Sequence, residues 1–308
     1  MRSALFAVLA TTALAYRGFN YGAVDLAGAT RNRTSFQEEF QVARNLGTQG
    51  AFTSARLYTS LQGSSTDPIE AFDAAVNTNT SLLLGLWISG TSNIQNEVNA
   101  ILSSAAKHGS AFVDLVVGIS VGSEDVYRLT DRGVTSGAGP GVSPGDVANY
   151  VNQVRSALRG SPLQGKPIGH VDTYNTFVNS SGWMVPVVEA VDFVGMNAFP
   201  YFEDTKPNAI DNSNATFWAD YDAVAAQVGG KEIWITETGW PSSGPRSGAA
   251  IPSVLNAETY FNEVYCSIAA RDMNVWWYTL QDRDTDGGVP SFGVTSSGGH
   301  ELKYEMSC

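Results

Sequence analysis

Apolar positions along this chain of 308 residues fall into eight short runs, and most runs are followed by a segment with helical patterning. Short apolar runs bounded by turn residues are typical of buried strands. The eight predicted strands cover residues 19–24, 51–58, 82–89, 115–122, 168–174, 193–199, 232–236 and 275–280. The main predicted helices cover residues 35–46, 68–77, 94–108, 144–159, 218–228 and 251–270.

Strand and helix alternate about every 30–40 residues, which is the period of a βα repeat. Eight such units favour a single α/β domain, a (β/α)8 TIM barrel with its active site at the C-terminal ends of the strands. The alternative is an open doubly wound sheet, which usually carries a glycine-rich first turn for a nucleotide. Residues 21–28 contain no G-x-G-x-x-G pattern, so we predict the barrel.

Two of the predicted strands end in a glutamate. Glu124 follows the fourth run and Glu237 follows the seventh. Because the carboxyl ends of barrel strands gather around one cleft, we expect the two carboxyl groups to converge. One can protonate a leaving oxygen while the other stabilises or attacks the sugar carbon, if their environments separate their pKa values. The pattern therefore predicts cleavage of a glycosidic bond.

The segments that carry these glutamates resemble the two signature segments of glycoside hydrolase family 17. They are residues 121–124 (Val-Gly-Ser-Glu) and 234–242 (Trp-Ile-Thr-Glu-Thr-Gly-Trp-Pro-Ser), and residues 55–58 and 197–202 also match. The family comprises β-1,3-glucanases and glucanosyltransferases, and the chain is similar to its fungal cell-wall branch. The resemblance implies a (β/α)8 fold, a retaining double displacement on β-1,3-glucan, no cofactor and no metal.

The resemblance also implies roles for individual residues. Glu124 would be the acid/base, Glu237 the nucleophile, and Arg56 a cation that keeps the nucleophile ionised. Sugars stack on aromatic rings and bind polar groups at their edges. The candidate substrate-binding residues are Arg56, Tyr58, Ser123, Asn197, Tyr201, Trp240 and Asp282.

The chain departs from the family pattern at three places. Ser123 stands where many members have asparagine before the acid/base. Phe199 stands where plant enzymes often have tyrosine, which makes Tyr201 a candidate hydroxyl for the nucleophile. The eighth-strand segment, residues 279–284, keeps Asp282 but lacks the glutamate and lysine expected there.

Three alternatives remain open on the sequence. The acceptor of the second step is either water or another sugar, which separates hydrolysis from glucan transfer. The chain could also be an inactive wall-glucan-binding protein that keeps the barrel, or a related barrel glycosidase that acts on another β-linked glycan.

Net charge and hydropathy exclude some classes of binding partner. A formal net charge of −12 and a pI of about 4.6 disfavour nucleic acid. There is no apolar run of eighteen residues, so we predict no membrane span, and we expect a monomer. Residues 1–15 have the pattern of a secretory signal peptide, which leaves 16–308 as the catalytic domain. We therefore expect secretion to the extracellular space or the cell wall.

Several other side chains and segments allow predictions, and two of these, the cysteine pair and the glycosylation sequons, depend on secretion. An even pair of cysteines, Cys266 and Cys308, favours a disulfide. His170 lies inside a predicted strand, where we expect a hydrogen-bonded core residue. The segment 282–286 resembles the start of a calcium loop, but position 293 is glycine where such a loop needs glutamate, so no metal is expected. Glycosylation sequons occur at Asn32, Asn79, Asn179 and Asn214.

Overall fold

A computed structural model describes residues 15–25, 27–46, 52–91, 94–179, 181–282, 289–296 and 301–308. In these ranges eight parallel strands close into a barrel in sequence order, each paired with the next and the last with the first. The strands are β1 Arg17–Tyr21, β2 Ser54–Leu57, β3 Ser81–Leu86, β4 Val116–Ser123, β5 Ile168–Thr173, β6 Phe193–Asn197, β7 Glu232–Glu237 and β8 Val275–Trp277. The predicted (β/α)8 barrel is confirmed, and every predicted run overlaps a strand.

Helices occupy the connections between the strands. They are α1 Arg33–Asn45, α2 Ala71–Thr78, α3 Gln95–His108, α4 Ser110–Val113, α5 Asp131–Thr135, α6 Pro144–Ala157, α7 Tyr174–Phe177, α8 Val185–Ala190, α9 Ile210–Ala225, α10 Val254–Tyr260 and α11 Cys266–Ala270. Short 3-10 turns cover Tyr127–Leu129 and Pro200–Phe202, and a π turn, Phe261–Tyr265, separates α10 from α11.

Helix starts follow the capping residues in the sequence. Ser143 accepts a hydrogen bond from the amide of Asp146 and is followed by a proline in the first turn of α6. The predicted helix 218–228 was placed too late, because α9 begins at Ile210. Between β5 and β6 the described residues form the helices α7 and α8, which are too short to give a helical period in the sequence.

The barrel interior and the outer core are filled by different faces of the same strands. Trp276 packs inside the barrel with Trp234 and Phe193, whose rings stack with centroids 3.7 Å apart. The next residue, Trp277, points outward against Phe261 and Tyr265 on the π turn. Neighbouring strand residues face opposite sides, as the period of two requires.

The C-terminus is tied to the last helix. Cys308 forms a disulfide with Cys266 in α11, which confirms the predicted pair. Within the described ranges, no helix is both long and apolar enough to cross a bilayer. The predicted signal peptide lies outside the described residues apart from Ala15, and the limits of the catalytic domain stay predictions.

The four sequons also stay predictions. Asn32, Asn79 and Asn179 are exposed, whereas Asn214 on α9 is half-buried. Asn32 already serves as the N-cap of α1, where its side chain accepts a hydrogen bond from the amide of Ser35.

Candidate active site

The two glutamates lie at the same mouth of the barrel. Glu237 is the last residue of β7, and Glu124 follows directly after β4. Asn197, at the end of β6, donates from Nδ2 to Glu124 Oε1 at 2.9 Å and is also the register partner of Glu237. Thr236 donates to Asn197 Oδ1 at 2.7 Å, which fixes the orientation of the amide. One asparagine therefore links the two carboxyl-bearing strand ends.

Arg56 holds the nucleophile candidate from the other side. Its Nη1 lies 2.6 Å from Glu237 Oε1 and 2.7 Å from Asn20 Oδ1, and its Nη2 lies 2.9 Å from Ser123 Oγ. The arginine is 1% exposed, so this ion pair is shielded from solvent. Side chains from β1, β2, β4 and β7 thus meet at one guanidinium.

The carboxyl groups have different electrostatic surroundings. Burial, followed by the charges of Glu237 and Asp172, raises the pKa of Glu124 to about 7. The Asn197 hydrogen bond and the charge of Arg128 oppose that rise. Glu237 instead has a cation in direct contact. Glu124 is thus suited to carry a proton, while Glu237 is paired with a counter-ion, and acid-assisted nucleophilic chemistry needs this difference between its two carboxyl groups.

The turn that presents Glu124 has an uncommon backbone. Glu124 has a φ of 57°, in the left-handed region that side chains other than glycine rarely occupy. Gly122 has a φ of 80°, and a Cβ there would lie 2.1 Å from Asp125 Oδ2. The Val-Gly-Ser-Glu segment therefore needs its glycine to bring the glutamate back over the strand end.

Tyr58 borders both the site and a cavity. Its ring lies 4.9 Å from the guanidinium carbon of Arg56. Burial, followed by the charge of Glu237, raises the pKa of its hydroxyl. A cavity of about 160 Å³ lies beside it, lined in part by Asn20, Tyr278 and Asp282. The cavity thus borders Tyr58 and Asn20, two side chains that contact Arg56.

Asp282 is bound by its own loop. It accepts hydrogen bonds from the hydroxyl of Ser291, at 2.8 Å, and from the amide of Phe292. The carboxylate lines the cavity beside Tyr58, and both of these hydrogen bonds come from the protein itself. The rest of the predicted calcium-like segment, from position 283, lies outside the described residues.

Tyr201 and Trp240 do not form the sugar platform that the sequence predicted. Each is 1% exposed, and their rings pack edge to face with centroids 5.6 Å apart. The Tyr201 hydroxyl donates to the carbonyl of Pro245, so it does not serve the nucleophile, and Trp240 Nε1 donates to the carbonyl of Ile251. The turn Pro200–Phe202 directs the ring of Tyr201 into the wall and leaves Phe202 exposed instead.

Sequence reasoning missed two residues at this site. Asn20, the next-to-last residue of β1, orients Arg56 and donates to the carbonyls of Trp276 and Trp277. Its signal was a polar residue within an apolar run. Tyr278 follows β8, and the charges of Glu237 and Glu124 contribute, after burial, to raising the pKa of its hydroxyl. Within the described ranges, histidine, cysteine and acidic side chains form no cluster suited to a metal ion.

A parallel barrel with two glutamates at its strand ends, one paired with a cation and one with no cation in contact among the described residues, has the architecture of a glycoside hydrolase domain. The chain belongs to the BtgE/BtgC glycoside hydrolase domain family, whose model matches residues 18–294.

Curated proteins that are similar in sequence are also named as glycosidases. The chain is 45% identical over 295 residues to the probable glucan endo-1,3-beta-glucosidase eglC of Aspergillus fumigatus, covering 96% of this chain and 65% of that protein. It is 46% identical over 296 residues to the eglC protein of Aspergillus terreus, covering 96% of this chain and 60% of that protein. The chain thus spans less than two thirds of the length of these relatives.

A solved structure is similar over nearly the whole chain. It is a glycoside hydrolase family 17 beta-1,3-glucanosyltransferase from Rhizomucor miehei, with a TM-score of 0.76 and 27% identity, covering 95% of this chain and 98% of that one. An active-site mutant of that protein, solved in complex with laminaritriose, is equally similar.

Proposed function

We propose that the chain is a secreted, retaining glycoside hydrolase of family 17 that cleaves β-1,3-glucan. The observation that carries this proposal is the pairing of Glu237 with Arg56, while Glu124, directly after β4, is half-buried and has a pKa raised to about 7. The eglC relatives, named as endo-1,3-beta-glucosidases, support the substrate class. The disulfide supports secretion.

In the first step, Glu237 attacks the anomeric carbon while Glu124 gives its proton to the leaving glycosidic oxygen. Arg56 pairs with the attacking carboxylate and fixes its direction, and Asn197 holds the acid in reach of the same bond. In the second step, Glu124 is ionised and removes a proton from the acceptor, which then releases the sugar from Glu237.

The acceptor decides between hydrolysis and transfer. Water gives a shorter glucan, and a sugar hydroxyl gives a longer one. The names of the relatives cover both outcomes, since the Rhizomucor miehei protein is called a glucanosyltransferase. Incubation with laminari-oligosaccharides separates them, because only transfer yields products longer than the starting sugar.

The decisive experiment measures turnover of β-1,3-, β-1,4- and β-1,6-glucans by the wild-type chain and by Glu237→Gln. We expect cleavage of the β-1,3 polymer and a loss of at least about a hundredfold in the variant, the order of a covalent or acid–base contribution. Glu189→Gln, remote in sequence on α8, is the matched control and should retain full activity.

The other outcomes identify the alternatives. Binding of glucan without turnover by the wild-type chain would favour an inactive wall-binding protein. Preferred cleavage of β-1,4- or β-1,6-glucan would favour a barrel glycosidase with another specificity. Turnover that survives in Glu237→Gln would overturn the assigned nucleophile.

A further inference from the structure

His170 is a buried histidine that the proposed mechanism does not use. It lies in β5 with its side chain 0% exposed, which agrees with its prediction as a core residue. Its Nδ1 lies 2.7 Å from the carbonyl oxygen of Val121, and its Nε2 lies 3.1 Å from Asp172 Oδ2. A buried ring with both nitrogens facing oxygens raises the question of where its protons are.

The partners of the ring answer that question. A carbonyl oxygen can only accept, so Nδ1 must carry a proton. The Asp172 carboxylate accepts hydrogen bonds from three backbone amides, those of Val126 at 2.9 Å, Tyr127 at 3.2 Å and Thr173 at 2.8 Å. A carboxylate already surrounded by donors acts as an acceptor towards Nε2 as well, which places a proton on both ring nitrogens.

The surrounding charges favour that state. Burial opposes a charged ring, but the hydrogen bond and charge of Asp172, with the charge of Asp125, more than offset it and raise the pKa of His170. Asp125 is itself 1% exposed and accepts from the hydroxyl of Ser89. The buried carboxyl of Asp172 contacts the imidazole directly, and a cationic ring offsets the cost of burying that charge.

This network holds the turn that presents the acid/base. The amides of Val126 and Tyr127, which Asp172 binds, follow two and three residues after Glu124. The amide of Glu124 itself donates to the carbonyl of Val171, between His170 and Asp172. Because Glu124 has a sparsely populated backbone conformation, its position depends on such external contacts.

We propose that His170, doubly protonated, is a positioning residue that acts through Asp172 to hold Glu124 in place for proton transfer. The inference rests on the proposed glycosidase function. It predicts that losing the ring charge impairs the acid step more than it impairs sugar binding or the attack by Glu237.

Two substrates with different leaving groups test this role in His170→Gln. Glutamine is neutral, so it cannot replace a charged ring that donates to both the Val121 carbonyl and Asp172. We expect kcat/KM to fall on the order of twentyfold or more for laminari-oligosaccharides, whose leaving alkoxide needs the acid. For a dinitrophenyl β-laminaribioside, whose phenolate leaves without a proton, we expect a change of less than about threefold.

His108→Gln is the matched control, because it removes another histidine–aspartate contact, 2.7 Å from His108 Nε2 to Asp73, near the end of α3. His108→Gln should leave kcat/KM unchanged for both substrates. Equal losses on the two substrates in His170→Gln, or no loss, would overturn the proposal. A wild-type chain that is inert on both substrates would instead refute the proposed function.

A direct measurement keeps the test independent of folding in the variant. The chain has 3 histidines, so ring nitrogens can be assigned by nitrogen NMR on histidine-labelled wild-type protein. We expect both nitrogens of His170 to be protonated at about pH 6 to 7, near the ordinary pKa of histidine. A neutral ring with one protonated nitrogen at about pH 6 would overturn the proposal.

Discussion

Arg56 and Glu237 form a solvent-shielded ion pair across the barrel mouth, with Nη1 and Oε1 2.6 Å apart and the arginine side chain 1% exposed. The same guanidinium also donates to Asn20 and Ser123. A cation with this many buried partners both neutralises the nucleophile and fixes where it points. Arg56 is therefore part of the reacting geometry as well as of the fold.

Replacing Arg56 with glutamine should leave Glu237 buried without a counter-charge. We expect kcat/KM on β-1,3-glucan to fall by at least about a hundredfold, and the free energy of unfolding to fall by about 3–5 kcal/mol, as when one partner of a buried pair is removed. Kinetics and denaturant titration check the two effects.

Arg155→Gln is the control for this change. Arg155 pairs with Asp192 at 2.9 Å, but both side chains are partly exposed, at 38% and 43%. Its loss should cost no more than about 1 kcal/mol of unfolding free energy and leave activity intact. Similar activity losses in both variants would contradict a specific role for Arg56.

Asn197 should tune the pH dependence through Glu124. Because burial raises the pKa of Glu124 to about 7, kcat/KM should fall as pH rises through that value and the acid loses its proton. The Asn197 hydrogen bond stabilises the ionised form and lowers this pKa, so Asn197→Ala should move the basic limb to higher pH.

The measurement is a pH profile of kcat/KM for wild type, Asn197→Ala and a matched control. Asn208→Ala serves as that control, since Asn208 is also a buried amide but donates to the carbonyls of Tyr201 and Ser247. A basic limb that stays in place in Asn197→Ala, or that shifts equally in Asn208→Ala, would rule out this coupling.

The sequence was sufficient to predict those features of the fold and site that depend on the strand–helix repeat and on residue spacing. Eight apolar runs predicted eight strands, because a buried parallel strand needs continuous apolar residues regardless of its neighbours. Glu124 and Glu237 could be predicted because residues at barrel strand ends share one mouth. Arg56 and Asn197 were predicted from the resemblance to glycoside hydrolase family 17.

Side-chain direction beyond the strand ends could not be predicted in the same way. Tyr201 and Trp240 follow strands, yet the 3-10 turn Pro200–Phe202 and the loop after β7 direct their rings into the wall. Once a strand ends, the period of two no longer decides which face a residue takes. His170 and Asp172 are two residues apart in β5 and therefore share a face, but spacing does not encode the contact of Asp172 with the turn after β4.

The disulfide should contribute to stability without affecting chemistry. Cys266 and Cys308 are 42 residues apart, and closing a loop of that length contributes about 4 kcal/mol on chain-entropy arguments. We expect the double variant Cys266→Ser, Cys308→Ser to unfold at a lower temperature and to keep its kcat below that temperature. Reductant should destabilise the wild type only, and an equal effect on the variant would exclude the bond as the cause.

Glu97 should make the fold less stable as pH rises. This carboxyl on α3 is 3% exposed and accepts from the hydroxyl of Thr59 and the amide of Ser60, each at 2.6 Å, in the loop after β2. Burial nevertheless raises its pKa from 4.5 to about 7. A folded-state pKa above the unfolded value means that its contribution is complete below about pH 4.5 and is lost as pH rises through about 7.

Glu97→Gln removes this titration while keeping an acceptor oxygen. Between about pH 5 and pH 8 the unfolding free energy of wild type should fall relative to the variant by up to about 3 kcal/mol. Denaturant titrations across that range measure the difference, so the parallel effect of Glu124, present in both proteins, cancels. Glu38→Gln, at an exposed position on α1, should track the wild type. Parallel curves for Glu97→Gln and wild type would show that the carboxyl does not titrate in this range.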